Sequence, residues 1–413
     1  MAKKQEKNII TGLDIGTSKI VALIAEIGPG DTLEIIGMGQ HPSRGLKRGV
    51  VVDIEATVNS IQRAVQEAEL MADCEVKSVY AGIAGSHIRS LNSHGIVAIR
   101  DREVSQADVE RVIEAAKAVA IPADQKILHV LPQEFIIDNQ GSIREPIGMA
   151  GVRLEARVHI VTGAVSAAQN INKCVRMCGL EVRDIILEQL ASSHAVLTDD
   201  EKELGVCLID IGAGTTDIAV FAQGAIQHTA VIPIAGDQVT NDIAMALRTP
   251  TKAAEKIKID HASAVPSHAS SKEMIEITAV ADERPGRKIS LHSLAEVVSA
   301  RYEELFMLVR NELRRSGFEE RIGAGMVLTG GGSVVQGTLS LAEIIFSMPV
   351  RQGIARSLIG LPMEATTPGM ATGVGLLLHG FQQQYEGGYN IPTLNNSYQN
   401  IWSKMRSWFQ VNF

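Results

Sequence analysis

Apolar runs of strand length, separated by turn residues, open the chain. The runs 8–14, 20–27 and 33–38 are divided by a glycine turn at 16–18 and by a Gly-Pro-Gly-Asp turn. Apolar residues at helical spacing follow between positions 54 and 71. Because short apolar runs bounded by turn residues indicate strands and three-to-four-residue spacing indicates a helix, this pattern predicts a βββα unit.

The same order returns 196 positions later, which is the spacing from Asp14 to Asp210. It predicts strands at 205–210, 215–221 and 226–234, followed by a helix at 236–247. A βββα unit that is used twice in a long chain predicts two similar domains that face each other.

The segment between the two repeats, 83–161, has a pattern of its own. It predicts a helix at 106–119, with Ser105 as its N-cap, and strands at 126–132 and 158–162. We therefore expect a small inserted α+β domain.

The second half of the chain has four further features. Residues 252–310 are polar and rich in helical pattern, and within them the Ser/Pro/Glu-rich stretch 263–287 predicts a mobile loop. A buried strand at 326–329 then opens into a triple-glycine turn, and a small-residue helix is predicted at 368–378. Residues 385–397 have the composition of a linker.

Bulk composition excludes several classes of protein. The 413 residues carry a net charge of −8, which argues against a general nucleic-acid binder. No apolar run reaches 18 residues and the first residues lack an apolar segment, so neither a spanning helix nor a secretory signal is expected. Four cysteines do not make a disulfide framework.

Glycine and hydroxyl residues follow the two predicted strands that end in aspartate, 8–14 and 205–210. Glycines allow a hairpin backbone to approach phosphate oxygens, while N–H groups and hydroxyls donate to those oxygens and lysine supplies a point charge. One such turn is weak evidence, but two in register with a third glycine turn strongly indicate a phosphate site. The predicted phosphate-binding residues are Gly16, Thr17, Ser18, Lys19, Gly212, Ala213, Gly214, Thr215, Thr216, Gly330, Gly331 and Gly332.

Asp14 and Asp210 occupy equivalent positions in the two repeats. If the domains face each other, these two carboxylates lie across one cleft. Mg²⁺ usually keeps part of its water shell in proteins, so we expect the pair to hold Mg²⁺ through waters.

The motifs at 13–19, 208–217 and 328–332, with the small-residue helix, resemble those of the actin-like ATPase superfamily. The resemblance implies an α/β, actin-like (ribonuclease H-like) two-domain fold with ATP and Mg²⁺ between its halves. It further implies that Gly236, Glu255 and Lys258 lie near the nucleotide and that Glu188 lies near an attacking water. A carboxylate on a surface helix is the alternative for Glu188. Gln189 stands where relatives often carry proline, so the rate of hydrolysis, at most weak, stays open.

Within that superfamily, residues 42–46, 129–134, 204–212 and the terminal amphipathic segment resemble the FtsA family of bacterial cell-division proteins. The resemblance covers essentially the whole chain and implies a set of subdomains. These are subdomain 1A at 1–83, 163–203 and the helix 367–384; an inserted subdomain 1C at 84–162; subdomain 2A at 204–250 and 311–366; subdomain 2B at 251–310; a flexible linker at 385–397; and a membrane-targeting helix at 398–413.

Aromatic residues are concentrated at the end of the chain. Eight of the fifteen lie in the last 33 residues, and no acid follows Glu386. On a helical wheel an apolar arc is flanked by cations, the pattern of a helix that lies in a membrane interface. About 22 Å of helix is too short to span a bilayer. A helix docked on the protein's own core is the alternative. The predicted membrane-contacting residues are Ile401, Trp402, Lys404, Met405, Arg406, Trp408 and Phe409.

The family resemblance implies partners and a place of action. The partners are the C-terminal peptide of FtsZ, anionic membrane lipids, other divisome proteins and further copies of this chain in a filament. The peptide is expected in subdomain 2B, near Arg301, Tyr302 and Glu304. The implied function is tethering of the FtsZ ring to the inner face of the cell membrane at the division site. The alternative is a small-molecule kinase of the same fold, which a turnover assay would reveal.

Overall fold

The computed structural model describes residues 8–30, 32–277 and 287–385. Within these residues there are eighteen strands and ten α-helices. The strands are β1 Ile9–Ile15, β2 Lys19–Gly28, β3 Thr32–Pro42, β4 Leu46–Lys47, β5 Val50–Val51, β6 Ser78–Ile83, β7 Arg89–Ala98, β8 Gln125–Ile137, β9 Gln140–Ile143, β10 Arg153–Ala164, β11 Glu181–Leu187, β12 Val206–Ile211, β13 Thr216–Ala222, β14 Ala225–Ile232, β15 Met274–Ile277, β16 Arg287–Ser290, β17 Met326–Thr329 and β18 Val350–Gln352. The helices are α1 Ile54–Ala72, α2 Gln106–Lys117, α3 Val165–Met177, α4 Glu188–Val196, α5 Asp199–Leu204, α6 Gly236–Leu247, α7 Thr251–His261, α8 Leu291–Ser316, α9 Thr338–Phe346 and α10 Ala371–Tyr385.

The chain forms two compact units, which in the described residues comprise 8–89 with 164–381, and 90–163 with 382–385. The first unit contains two five-stranded sheets with the same topology, in the orders β11-β6-β1-β2-β3 and β14-β13-β12-β17-β18. In each sheet three consecutive strands pair antiparallel, and a later strand adds parallel to the first of the three. The repeated βββα unit predicted from the pattern is therefore confirmed.

In each repeat a helix packs on the sheet, against glycines or apolar side chains. In the first, α1 begins after Asp53, whose carboxylate accepts from the Ala56 N–H at 3.0 Å. Two glycines of β3 allow α1 to approach closely, because a methyl group at Gly39 would lie 1.9 Å from the Ala64 carbonyl oxygen. In the second repeat, α6 has the predicted bounds, 236–247.

The second unit has a four-stranded sheet in the order β7-β10-β8-β9 and a core between that sheet and α2. The predicted cap is confirmed: Ser105 accepts from the Asp108 N–H, and the Asp108 carboxylate accepts from the Ser105 N–H. Residues 126–132 and 158–162 lie within longer strands, β8 and β10.

In the first unit, the mobile loop predicted at 263–287 is wrong for its described part, while residues 278–286 lie outside the described residues. The stretch 263–287 is not simply a loop, because it contains a 3-10 turn at Pro266–His268 and the strand Met274–Ile277, which pairs antiparallel with Arg287–Ser290. Ile275 and Ile277 are buried there. Two apolar side chains at alternate positions stabilise this hairpin despite its polar composition.

Candidate functional site

The turns β1–β2 and β12–β13 line one cleft of the first unit, with a volume of about 600 Å³. They approach each other closely, because a methyl group at Gly214 would lie 2.7 Å from Thr17 Oγ1 and 2.8 Å from the Arg48 Cα. Thr17 Oγ1 also accepts from the Gly49 N–H at 3.0 Å. Glycine at 214 is thus required by the contact between the two halves, since a side chain would separate them.

Four carboxylates, Asp14, Glu188, Asp210 and Asp217, line the same cleft. Asp14 lies in β1 and Asp210 in β12, each paired antiparallel with the next strand at the same register position, opposite Val21 and Asp217. Both are 8% exposed. Burial, with a contribution from the neighbouring Asp210, raises the pKa of Asp14 to about 7 against the opposing charge of Lys19.

The remaining carboxylates are shifted in the same direction. Burial raises the pKa of Asp217 to about 7, with Asp210 adding to the shift and the Thr215 hydroxyl opposing it. Burial, followed by the charges of Asp14, Asp217 and Asp210, holds the pKa of Glu188 well above its usual range. Negative charge concentrated on buried carboxylates is costly, so the site favours a bound cation or a bound proton.

Asp210 differs from the others in its hydrogen bonds. Its Oδ2 accepts from Ser192 Oγ at 2.6 Å and from Thr372 Oγ1 at 3.5 Å. Burial raises the pKa of Asp210, while these two hydroxyls lower it. A hydroxyl that donates to a carboxylate stabilises the ionised form.

Lys19 brings positive charge into the cleft. Its Nζ lies 3.5 Å from Gln40 Oε1 and 3.4 Å from Met370 Sδ. Burial lowers its pKa, and Asp14 opposes that shift. Among the described residues no carboxylate oxygen lies within ion-pair distance of this ammonium, so its charge is available to an anion in the cleft.

Residues of α6 and α7 line the cleft on the side of the second repeat. Lys258 Nζ forms an ion pair with Glu255 at 2.8 Å and donates to Thr240 Oγ1 at 2.8 Å and to the Gly236 carbonyl at 3.1 Å. The Thr240 hydroxyl also donates to Glu255. This network fixes the two charged side chains at the N-terminus of α6, where the Gly236 backbone faces the cleft.

The triple-glycine turn follows β17 and packs against β12. Gly330 has φ +82°, and a methyl group there would lie 2.3 Å from Asp210 Oδ1. The Gly332 carbonyl accepts from Tyr302 Oη at 2.7 Å. The hydrogen bond from Tyr302 therefore holds the turn to α8. Because position 330 is a glycine, no side chain there covers Asp210 Oδ1.

The structure brings nearly all the sequence-predicted nucleotide and metal residues to this one cleft. The lining includes Asp14, Gly16, Thr17, Ser18, Lys19, Glu188, Asp210, Gly212, Ala213, Gly214, Thr215, Gly236, Glu255, Lys258, Gly330, Gly331 and Gly332. Thr216 is the exception: it is fully buried, and its hydroxyl donates to the Ile234 carbonyl at 2.7 Å. Thr216 does not line the cleft, because adjacent residues of a strand point to opposite faces.

Among the cleft residues that sequence reasoning did not identify are Asp217, Gly49 and Thr372. Alternation along β13 would have found Asp217, since it shares a face with Thr215, whose hydroxyl donates to it at 2.8 Å. Gly49 and Thr372 belong to distant parts of the chain, and no local sequence pattern indicates that they line the cleft.

The residues predicted for a peptide partner have different surroundings. Arg301 forms a two-pronged pair with Asp242, at 2.6 and 2.9 Å, and also pairs with Glu304. Tyr302 is 1% exposed. The expectation that Tyr302 contacts a peptide is wrong for this structure, because its ring lies in the core of the second repeat.

The seven residues predicted to contact a membrane, 401, 402, 404–406, 408 and 409, lie outside the described residues. Within the part of the chain that the structure describes, no helix combines the length and the apolar character needed to cross a membrane.

Comparison with known proteins shows to which family the chain belongs. One family model, described as the SHS2 domain inserted in FTSA, matches residues 85–162, and another, described as cell division protein FtsA, matches residues 207–375. Cell division protein FtsA of Pseudomonas aeruginosa is 61% identical over 419 residues, which cover 100% of both chains. The chain belongs to the FtsA family. Cell division protein FtsA of Escherichia coli K12 is 43% identical over 421 residues, again covering 100% of both chains. Membership of the FtsA family gives the chain a role in cell division.

Solved structures agree on the fold. The PilM-PilN type IV pilus biogenesis complex matches with a TM-score of 0.64 at 16% identity, over 90% of this chain and 98% of that one. MreB 5 of Spiroplasma citri bound to AMPPNP matches with a TM-score of 0.57 at 16% identity, over 93% and 100%. With the repeated sheets, these matches confirm the actin-like fold for this FtsA-family chain.

Proposed function

We propose that the cleft binds ATP. The observation that carries this proposal is the meeting of two glycine-hydroxyl turns and a triple-glycine turn around Lys19, which has no ion-pair partner among the described residues. Backbone N–H groups of such turns, with the hydroxyls of Thr17 and Ser18, suit phosphate oxygens. Lys19 supplies the charge that a terminal phosphate needs. The MreB 5 structure with AMPPNP supports the same use of the fold.

The nucleoside end of the ligand is assigned to the other part of the cleft. Glu255 and Lys258 are fixed by their mutual pair and by Thr240, so they are pre-organised to meet hydroxyl groups of a ribose. Gly236 admits the ligand because it has no side chain. A methyl group there would lie 3.4 Å from Lys258 Nζ.

Mg²⁺ suits the carboxylates of the cleft. Asp14 and Asp210 would hold it through waters, and the ion would neutralise phosphate charge. The fit rests on the concentration of acid around the phosphate turns: Asp14, Glu188, Asp210 and Asp217 line the cleft beside Lys19, and Asp217 Oδ1 is buried without a partner among the described residues. Glu188 is the proposed general base for a weak ATPase, since its raised pKa allows it to take a proton.

We further propose that the chain tethers the FtsZ ring to the inner face of the cell membrane at the division site and helps to recruit other divisome proteins. The family role in cell division supports it, together with the aromatic and basic residues at 398–413. A single interfacial helix binds weakly, so a filament of ATP-bound copies would multiply the affinity. The assigned subdomains are those expected from the resemblance, with 84–162 as the inserted 1C.

The FtsZ peptide is assigned to the surface of 251–310, around Arg301 and Glu304. Arg301 is one-quarter exposed and already paired with Asp242 and Glu304. An acidic peptide would therefore compete with these two carboxylates for the guanidinium, which favours reversible binding.

ATP titration by isothermal calorimetry tests the central claim. The wild-type chain is expected to bind Mg·ATP, and Lys19→Ala is expected to weaken binding by at least about tenfold, because a charge-assisted contact to phosphate is lost. Lys173→Ala, at an exposed lysine of α3 that does not line the cleft, is the matched control and keeps wild-type affinity. A wild-type chain that shows no binding of Mg·ATP contradicts the proposal.

A further inference from the structure

Two buried hydroxyls from different helices meet one oxygen of Asp210. Ser192 of α4 donates to Oδ2 at 2.6 Å, and Thr372 of α10 lies 3.5 Å from the same oxygen. The two hydroxyl oxygens are 3.0 Å apart. Ser192 is fully buried and Thr372 is 9% exposed. Water therefore cannot easily substitute for either hydroxyl.

The two oxygens of the Asp210 carboxylate have different surroundings. Oδ2 is held by the hydroxyls, whereas Oδ1 faces Gly330, where a methyl group would lie at 2.3 Å. Within 8–30, 32–277 and 287–385, no donor forms a hydrogen bond to Oδ1. One oxygen is thus anchored in the protein and the other is left to the cleft, an orientation that the hydroxyls impose and the glycine permits.

We propose that Ser192 and Thr372 are positioning residues, which fix the Asp210 carboxylate so that Oδ1 can receive a water of the Mg²⁺ that accompanies ATP. The proposal rests on the proposed function of the cleft. Partners of this kind orient the groups that hold a metal, and their loss typically costs about 10- to 100-fold in metal affinity. Ser192 makes the shorter contact, so it is expected to contribute more than Thr372.

The chain contains a matched control beside Ser192. Ser193 is on the same helix and is 1% exposed, but its hydroxyl donates to the Leu190 carbonyl at 2.7 Å. Ser193→Ala therefore removes a buried hydroxyl of α4 without touching Asp210. At position 372, Thr372→Ser keeps the hydroxyl and Thr372→Val keeps the shape.

The experiment measures ATP affinity of the full-length chain by calorimetry, in excess Mg²⁺ and in EDTA. In Mg²⁺, Ser192→Ala is expected to weaken ATP binding by about 10- to 100-fold, and Thr372→Val by less. In EDTA both variants should match the wild type, since damage to the fold would lower affinity in both conditions. Ser193→Ala and Thr372→Ser should match the wild type in Mg²⁺ as well.

Several results would overturn the proposal. Equal Mg²⁺-dependent affinities for Ser192→Ala and Ser193→Ala would do so, as would a loss for Ser192→Ala that is as large in EDTA as in Mg²⁺. A wild type that binds ATP without any response to Mg²⁺ overturns this inference but leaves nucleotide binding intact. A wild type that binds no ATP overturns the proposed function itself.

Discussion

Tyr302 Oη donates a 2.7 Å hydrogen bond to the Gly332 carbonyl, and this bond ties α8 to the triple-glycine turn of the cleft. Burial raises the pKa of the Tyr302 hydroxyl, so it remains a donor. We expect Tyr302→Phe to lower the free energy of unfolding by about 1–3 kcal/mol, because a buried carbonyl loses its donor. It should also weaken ATP binding, measured by calorimetry, because the turn is released.

Ser316→Ala is the control for Tyr302→Phe. Ser316 is on the same helix, and its hydroxyl donates to the Leu313 carbonyl at 3.1 Å, far along α8 from the glycine turn. The Ser316→Ala variant should have a lower free energy of unfolding than the wild type but the same ATP affinity. If Tyr302→Phe and Ser316→Ala bind ATP equally well, Tyr302 has no role in shaping the cleft.

Gly375 marks the close approach of α10 to α4. A methyl group there would lie 1.8 Å from the Ala191 carbonyl oxygen. Gly→Ala in a helix normally stabilises it by up to about 1 kcal/mol, but here the overlap with backbone should reverse the sign and cost about 1–3 kcal/mol or more. Urea unfolding followed by circular dichroism measures the difference.

Gly373→Ala provides the comparison on the same helix. Its added methyl group would meet Leu23 Cδ1 at 3.3 Å, the end of a side chain that can move. Gly373→Ala should therefore be close to wild type in urea midpoint. Equal midpoints for Gly373→Ala and Gly375→Ala would show that the two helices have room to separate.

His194 makes the stability of the first unit depend on pH. Burial lowers its pKa to about 3, and the charges of His379, Lys202 and Arg356 add to the shift. Between pH 6.5 and about 3 the unfolded chain binds a proton at this position that the folded chain does not. Stability therefore falls as pH falls through this window, by at most about 1.4 kcal/mol per pH unit from this group.

His194→Gln should reduce the slope of unfolding free energy against pH below pH 6.5, as measured by urea titrations between pH 5 and 7. His268→Gln, at an exposed position, should leave the slope unchanged. A wild-type slope in His194→Gln would mean that other groups account for the whole acid sensitivity.

Trp402 and Trp408 are the two tryptophans of the chain, so intrinsic tryptophan emission reports the segment proposed to bind membranes. Vesicles with anionic lipid should shift this emission to shorter wavelength, and ATP should strengthen the effect. Lys404→Glu with Arg406→Glu should weaken vesicle binding by at least about 30-fold, because loss of the cations costs about 1 kcal/mol each and the new carboxylates are repelled by anionic lipid.

Lys252→Glu with Lys256→Glu makes the same charge change on an exposed face of α7 and should leave vesicle binding intact. An emission spectrum that anionic vesicles do not change would contradict the assignment of residues 398–413 to the membrane.

Local pattern predicted most of the sheet framework, because strand alternation and helical spacing are properties of neighbouring residues. The bounds of α6 and the cap at Ser105 are confirmed on that basis. The errors arose where tertiary context decides. Tyr302 follows Val298 at helical spacing, which indicates a position in the core. The family resemblance predicted a peptide contact there instead. The contact of Ser192 with Thr372 joins positions 180 apart, and no local pattern encodes it.

The helix α10 begins beside the cleft and ends at Tyr385. Thr372, near its first turn, touches Asp210, and the thirteen residues from there to Tyr385 span about 20 Å. Because an α-helix is a stiff rod, a tilt of about 10° about Thr372 would displace the backbone of Phe381, the last residue of α10 in the first unit, by about 2 Å.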